Sequence, residues 1–116
     1  MNSKRLISAA SHATFGVAMG LSLFTSAAGA ATSDAAATQL LAKYGCQACH
    51  TVDKKLVGPA YKDVAAKYAG DSTALAKLEQ KIKSGGSGVW GAIPMPPNNV
   101  PDADLKTLVE WILALK

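Results

Sequence analysis

The chain has 116 residues, with 12 basic and 8 acidic side chains and a formal net charge of +4. This length suits one small domain with a thin core. The basic residues form no dense patch or stripe of the kind that nucleic-acid binding requires. Composition therefore excludes a large multidomain enzyme and gives no support for a nucleic-acid partner.

The first 30 residues are predicted to form a secretory signal peptide. Lys4 and Arg5 give it a basic start, and a long apolar stretch runs from residue 6 to residue 24. The A-x-A triplet at residues 28–30 matches a cleavage site. An uncleaved membrane anchor is the alternative, but a small-residue site directly after the apolar stretch favours cleavage. We expect an exported protein whose mature domain spans residues 31–116, without stable membrane insertion.

Removal of this segment simplifies the inventory of reactive groups. The mature chain keeps both cysteines, Cys46 and Cys49, with one histidine, His50, and one methionine, Met95. Ten lysines and eight carboxylates give it a net charge of +2. A domain this small rarely buries enough apolar surface by itself, so a disulfide, a metal or a cofactor is expected to stabilise it.

Helical periodicity dominates the mature chain, and no segment is a convincing strand. The first helix is predicted to end near Gly45, with Thr32, Ser33 and Asp34 as candidate N-caps. A loop follows over residues 51–59. Three further helices are predicted, at residues 61–68, after the candidate caps Asp71 and Ser72, and at residues 101–115 with Pro101 in the first turn.

Residues 84–99 interrupt the helical pattern. Four glycines, at 85, 86, 88 and 91, precede three prolines, at 94, 96 and 97. Such a stretch cannot hold a regular helix, and its prolines exclude a central strand. We expect a loop of fixed shape, because the prolines limit the freedom of its backbone.

Residues 46–50, Cys-Gln-Ala-Cys-His, carry the C-x-x-C-H pattern of covalent c-type haem attachment. Each thiol can add to one haem vinyl group, and the two intervening residues let both sulfurs reach one edge of the ring. His50 is then held beneath the iron as an axial ligand. Its other ring nitrogen needs a fixed acceptor, for which the Pro59 carbonyl is the candidate.

Three other roles for the cysteines fit the sequence less well. A thioredoxin-like C-x-x-C motif needs a βαβ context, which the pattern lacks. A zinc site needs about four ligands, and the mature chain offers two cysteines and one histidine. A structural disulfide would leave His50 and the proline-flanked Met95 unexplained.

Met95 lies between Pro94 and Pro96, and the two prolines fix the direction of its side chain. A hydrophobic loop residue is the alternative interpretation. Histidine and methionine together form the axial pair of electron-transfer cytochromes, and the thioether raises the reduction potential. With both axial positions filled, a substrate has no easy access to iron. This favours electron transfer over the alternative, a haem enzyme or gas sensor with a labile distal ligand.

The mature sequence resembles the small single-haem class I cytochromes c of the bacterial c-551/c-552 type. The resemblance covers residues 34–116 and is carried by residues 45–50, 57–67, 88–91 and 93–98. It implies an all-α fold, with four to five short helices wrapped around one covalently bound haem. It further implies a monomeric periplasmic electron carrier, not an enzyme, whose partners are a nitrite reductase, a terminal oxidase or a small copper protein.

The resemblance also implies roles for individual residues. It makes His50 and Met95 the axial ligands, with the Pro59 carbonyl accepting from His50. Asn98 would donate to the Met95 sulfur, and Trp90 would contact a haem propionate. Lys81 stands where the best-known members have arginine, so its contact with a propionate would be a point charge instead of a fork.

The exposed haem edge is expected to form an apolar docking patch. The residues that frame it are Gln47, Ala48, Leu56 and Val57 on one side and Ile93, Pro94, Pro96 and Pro97 on the other. Two propionates bring the net charge close to zero, so long-range steering should be modest. Lys54 and Lys55 are candidates for orienting the encounter.

Overall fold

The computed structural model describes residue 16 and residues 31–116. The predicted signal peptide lies outside the described residues apart from residue 16, so its cleavage stays a prediction. The described part of the chain is helical and contains no strand beyond one isolated bridge. Its elements are α1 (Asp34–Lys43), a 3₁₀ turn (Cys46–Ala48), α2 (Tyr61–Lys67), α3 (Ala74–Ser84) and α4 (Asp102–Leu113).

The first helix begins and ends as its sequence predicts. The Ser33 hydroxyl accepts a hydrogen bond from the Ala36 N–H at 3.2 Å, which satisfies one of the free donors in the first turn. At the other end, Gly45 has a φ of +70°. This left-handed conformation suits glycine, and it turns the chain into the 3₁₀ segment that carries the cysteines.

The last two helices begin slightly later than predicted. The N-cap of α3 is Thr73, while Asp71 accepts from the Thr73 N–H at 2.8 Å and so closes the preceding turn. Pro101 precedes α4 instead of lying in its first turn. Its ψ of 145° is extended, as is usual for the residue before a helix, and the helical turns start at Asp102.

α4 is the central element of the core and contacts each of the other three helices. Leu105, Leu108 and Val109 on α4 are the largest fully buried side chains. They pack in one cluster with buried side chains of the other helices: Ala37, Leu41, Tyr61, Val64 and Leu78. The helices thus enclose an apolar space. No helix in the described range is both long and apolar enough to cross a membrane.

Candidate haem-binding site

The four residues predicted to bind haem meet at one cavity. Cys46, Cys49, His50 and Met95 all line a space of about 270 Å³. The remaining walls are largely apolar and include Leu41, Val64, Leu78, Ile82, Leu108 and Ile112. Two thiols, an imidazole and a thioether within apolar walls match the chemistry of a flat, mostly apolar macrocycle that carries iron at its centre.

The 3₁₀ turn holds both cysteines at this cavity. The Cys49 N–H and the His50 N–H both donate to the Cys46 carbonyl, at 3.2 and 3.0 Å. Both thiols are free and half-buried. Burial raises the pKa of the Cys46 thiol, and the neighbouring Cys49 adds to the shift.

A backbone carbonyl fixes the His50 ring. His50 Nδ1 lies 2.8 Å from the Pro59 carbonyl oxygen. Because a carbonyl oxygen can only accept, Nδ1 carries the proton and Nε2 keeps a free lone pair for a metal. Gly58 lies against the same ring, where an added Cβ would be 2.8 Å from Nδ1 and 2.9 Å from Nε2. Any side chain at residue 58 would displace the imidazole.

Two aromatic side chains, Tyr61 and Trp111, support the His50 ring from the protein interior. The Tyr61 ring stacks on the His50 ring at a centroid distance of 5.1 Å and meets Trp111 edge-on at 6.0 Å. The Trp111 indole donates to the Asp34 carboxylate at 2.9 Å, which joins α4 to the start of α1. Burial raises the pKa of the Tyr61 hydroxyl, and the nearby thiols of Cys46 and Cys49 contribute less. Sequence reasoning missed Tyr61 at the site, although an aromatic residue two positions after Pro59 was a usable signal.

Backbone hydrogen bonds, by contrast, place Met95 at the cavity. Its N–H donates to the Gly86 carbonyl and its carbonyl accepts from the Gly86 N–H, both at 2.9 Å. This pair is the isolated antiparallel bridge of the described chain. The loop predicted for residues 84–99 is present from residue 85 onward, because Ser84 is the last residue of α3, and the bridge between Gly86 and Met95 closes its base.

The outer candidate residues also line the cavity. The resemblance implied that the Asn98 amide donates to the Met95 sulfur. In the structure this amide donates instead to the Pro96 carbonyl, at 2.9 Å. Trp90 is partly exposed, with the Lys67 ammonium 5.4 Å from its ring centroid. Lys81 makes no ion pair with any described residue, and its charge is available to an anionic group such as a propionate.

The rim of the cavity is apolar and exposed. The exposed large hydrophobic side chains of the described chain are Leu56, Val57, Val89, Trp90 and Ile93, and Ile93 is 67% exposed. All of them except Leu56 line the cavity. A contiguous patch of exposed apolar side chains is typical of a binding surface, whereas single exposed apolar residues are not.

Comparison with known proteins identifies the family. A family model for cytochrome c matches residues 35–116, and the chain belongs to the cytochrome c family. Cytochrome c-551 of Pseudomonas aeruginosa is 61% identical over 72 residues, which cover 62% of this chain and 69% of the relative. Cytochrome c-552 of Nitrosomonas europaea is 59% identical over 90 residues, covering 77% and 84%.

Solved structures agree with this assignment. The wild-type cytochrome c552 of Nitrosomonas europaea matches with a TM-score of 0.65 at 60% identity, over 68% of this chain and 99% of that chain. The class 1 cytochrome MtoD of Sideroxydans lithotrophicus ES-1 matches with a TM-score of 0.59 at 37% identity, over 67% and 90%. The all-α class I fold is confirmed.

The chain is thus a small class I cytochrome c of the c-551/c-552 type and an electron-carrier protein. Its cofactor is one covalently bound haem c. The residues at the cavity fit this group, since two thiols lie on one turn beside a histidine whose Nε2 is free to bind metal.

Proposed function

We propose that the protein is a diffusible periplasmic one-electron carrier whose haem iron is bound by His50 and Met95. The observation that carries this proposal is that both side chains, with both thiols, line the same apolar cavity. An iron held on both faces leaves no position for a substrate. Such a site exchanges electrons and performs no bond chemistry.

Each ligand has a distinct role in this proposal. The bound haem supplies a reversible one-electron couple. The hydrogen bond from His50 Nδ1–H to the Pro59 carbonyl strengthens Nε2 as a donor. The Met95 thioether is a soft donor that favours ferrous iron and raises the potential. The apolar walls keep water from the iron, which acts in the same direction.

Two further side chains suit the haem propionates. Lys81 lines the cavity and makes no ion pair with any residue in the described range. Trp90 can offer its indole N–H, while the Lys67 ammonium above its ring adds a second positive charge. We assign Lys81 and Trp90 to the propionate end of the haem.

The exposed apolar rim is the proposed docking surface. Leu56, Val57 and Ile93 are large and exposed, and Val57 and Ile93 also line the edge of the cavity. Lys54 and Lys55 precede this rim and make no ion pair with a described residue, whereas most other lysines do: Lys43, Lys62, Lys77, Lys83 and Lys106. Free charges beside an apolar patch can orient a partner such as a nitrite reductase, a terminal oxidase or a small copper protein.

Electron-exchange rates test this surface. Val57→Glu and Ile93→Asp place a charge in the patch and should slow exchange with a nitrite reductase or a small copper protein. The midpoint potential should barely change, because neither residue is a ligand. Ala103→Glu, on the exposed surface of α4 and away from the cavity lining, is the matched control. If both patch variants keep wild-type rates while a lysine substitution elsewhere abolishes transfer, the patch is wrong.

A further inference from the structure

Residues 95–98, called here the Met95 segment, are joined to the end of α3 by backbone contacts. The Gly85 N–H donates to the Lys81 carbonyl at 2.7 Å and ends the helix. Gly86 then exchanges two hydrogen bonds with Met95. Three residues after Met95, the Asn98 N–H donates to the Ile82 carbonyl at 2.9 Å. The loop is therefore bonded at Met95 itself to the residue that follows the C-cap of α3, and at Asn98 to the last turn of α3.

Gly85 lies at the closest approach between these two segments. A Cβ at this residue would lie 2.8 Å from Pro97 N and 2.9 Å from the Pro96 carbonyl carbon, and closer still to the Met95 carbonyl oxygen. All three are backbone atoms, which cannot rotate away as a side chain does. Its φ of +67° and ψ of −155° also lie in a region that essentially only glycine adopts.

A second glycine of the loop separates the effect of backbone conformation from that of crowding. Gly88 has a φ of +103°, so it is also unfavourable for other residues. An added Cβ there would meet nothing within 4 Å, and Gly88 does not line the cavity. The two positions share backbone strain, and only Gly85 combines it with close contact to the Met95 segment.

We propose that Gly85 is a positioning residue for Met95. By lacking a side chain, it lets the loop pack against α3 closely enough for the Gly86–Met95 bridge to form, and the bridge fixes the thioether at the cavity. This inference rests on the proposed role of Met95 as an iron ligand. It places the control of distal ligand release at the C-cap of α3, ten residues before the ligand.

Cyanide binding to the ferric holoprotein measures how readily the distal position opens. Gly85→Ala should bind cyanide about tenfold faster or more, since one tenfold step corresponds to about 1.4 kcal/mol and overpacking a close contact commonly costs that much. Gly88→Ala should stay within about twofold of wild type. Equal acceleration in both variants would overturn the inference in favour of general loop strain, and so would no acceleration in either.

Met95→Ala separates this inference from the proposed ligation. If Met95→Ala binds cyanide rapidly while Gly85→Ala behaves as wild type, only the role of Gly85 is wrong. If Met95→Ala binds no faster than wild type, Met95 is not the ligand and both proposals fail.

Amide hydrogen exchange in the wild-type holoprotein decides the matter where Gly85→Ala yields no folded protein. The Gly86 and Met95 amides should exchange slowly. The rate of the opening that exposes them should equal the rate at which Met95 leaves the iron, which is the step that limits cyanide binding. Fast exchange at these two amides in a protein that still excludes cyanide would overturn the inference.

Discussion

The two sides of the haem site are built from different kinds of contact. His50 is held by side-chain packing, through Tyr61 and Trp111, and by the Pro59 carbonyl. Tyr61 and Trp111 are buried members of the main core. The Met95 loop is mostly exposed and is fixed by backbone hydrogen bonds to α3.

Because of this difference, substitutions on the two sides should affect different quantities: the free energy of unfolding on the His50 side, and the release of the distal ligand on the Met95 side. Changes near His50 disturb the same core that holds α1, α2 and α4 together, so they should lower the free energy of unfolding. The Met95 loop contributes little to that core, and regions with few buried contacts open at low cost. Changes there should release the ligand while the rest of the domain stays folded.

The largest predicted effect comes from removing haem attachment altogether. Cys46→Ala combined with Cys49→Ala, expressed without haem attachment, should be largely unfolded by circular dichroism. A domain of this size buries too little apolar surface without the ring, at about 25 cal/mol per Å² against a large chain entropy. The wild-type holoprotein is the control, and a cooperative native-like melt of the apoprotein would contradict the prediction.

A single methyl group beside His50 should have the next largest effect. Gly58 has no positive φ, so Gly58→Ala acts only through the clash with the imidazole. Overpacking of this kind costs roughly 1–3 kcal/mol, which should appear as a lower unfolding midpoint of the holoprotein in denaturant. Gly85→Ala should instead act mainly on cyanide binding. The contrast between the two sides fails if Gly58→Ala is as stable as wild type.

The smallest predicted effect lies at the start of α3 and depends on pH. Hydrogen bonds from Lys77 and then from Thr73 lower the pKa of Asp71 to about 2, from an ordinary value of 3.8. A lowered pKa adds stability above about pH 4, and this stability is lost as the pH falls towards 2. Asp71→Asn should therefore flatten the acid limb of the stability profile, by a small amount because the group is exposed.

Asp63→Asn is the control for that measurement. Asp63 is exposed and makes no ion pair with the described residues. Its removal should leave the acid limb between pH 4 and pH 2 steeper than that of Asp71→Asn. Identical limbs in the two variants would show that the Asp71 contacts do not matter.

Local sequence patterns predicted most of the fold. Apolar periodicity located all four α-helices of the part of the chain that the structure describes, and Ser33 and Gly45 marked the ends of α1. The errors are small shifts at helix starts, at Thr73 and Pro101, where several adjacent residues can serve as caps, and at the end of α4, which stops at Leu113 instead of residue 115. The C-x-x-C-H motif indicated the correct cofactor, because two thiols and a histidine at that spacing have few other uses.

Contacts between distant segments could not be predicted in the same way. Trp111 and Asp34 lie 77 residues apart, and the Gly86–Met95 bridge closes across a glycine-rich stretch with no hydrophobic pattern to set its register. The Asn98 amide could reach several nearby carbonyls, and only the folded loop selects Pro96. Sequence therefore predicted the residues proposed for the site, apart from Tyr61, and left open what holds them there.

The central claim is that Met95 closes the distal position of the haem and makes the protein an electron carrier instead of a haem enzyme or gas sensor. Carbon monoxide titration of the ferrous holoprotein tests it most directly, in wild type and in Met95→Ala. We expect no spectral change in wild type at neutral pH, ready binding in Met95→Ala, and a smaller effect in Asn98→Ala. Ready binding of carbon monoxide by the wild-type protein would contradict it.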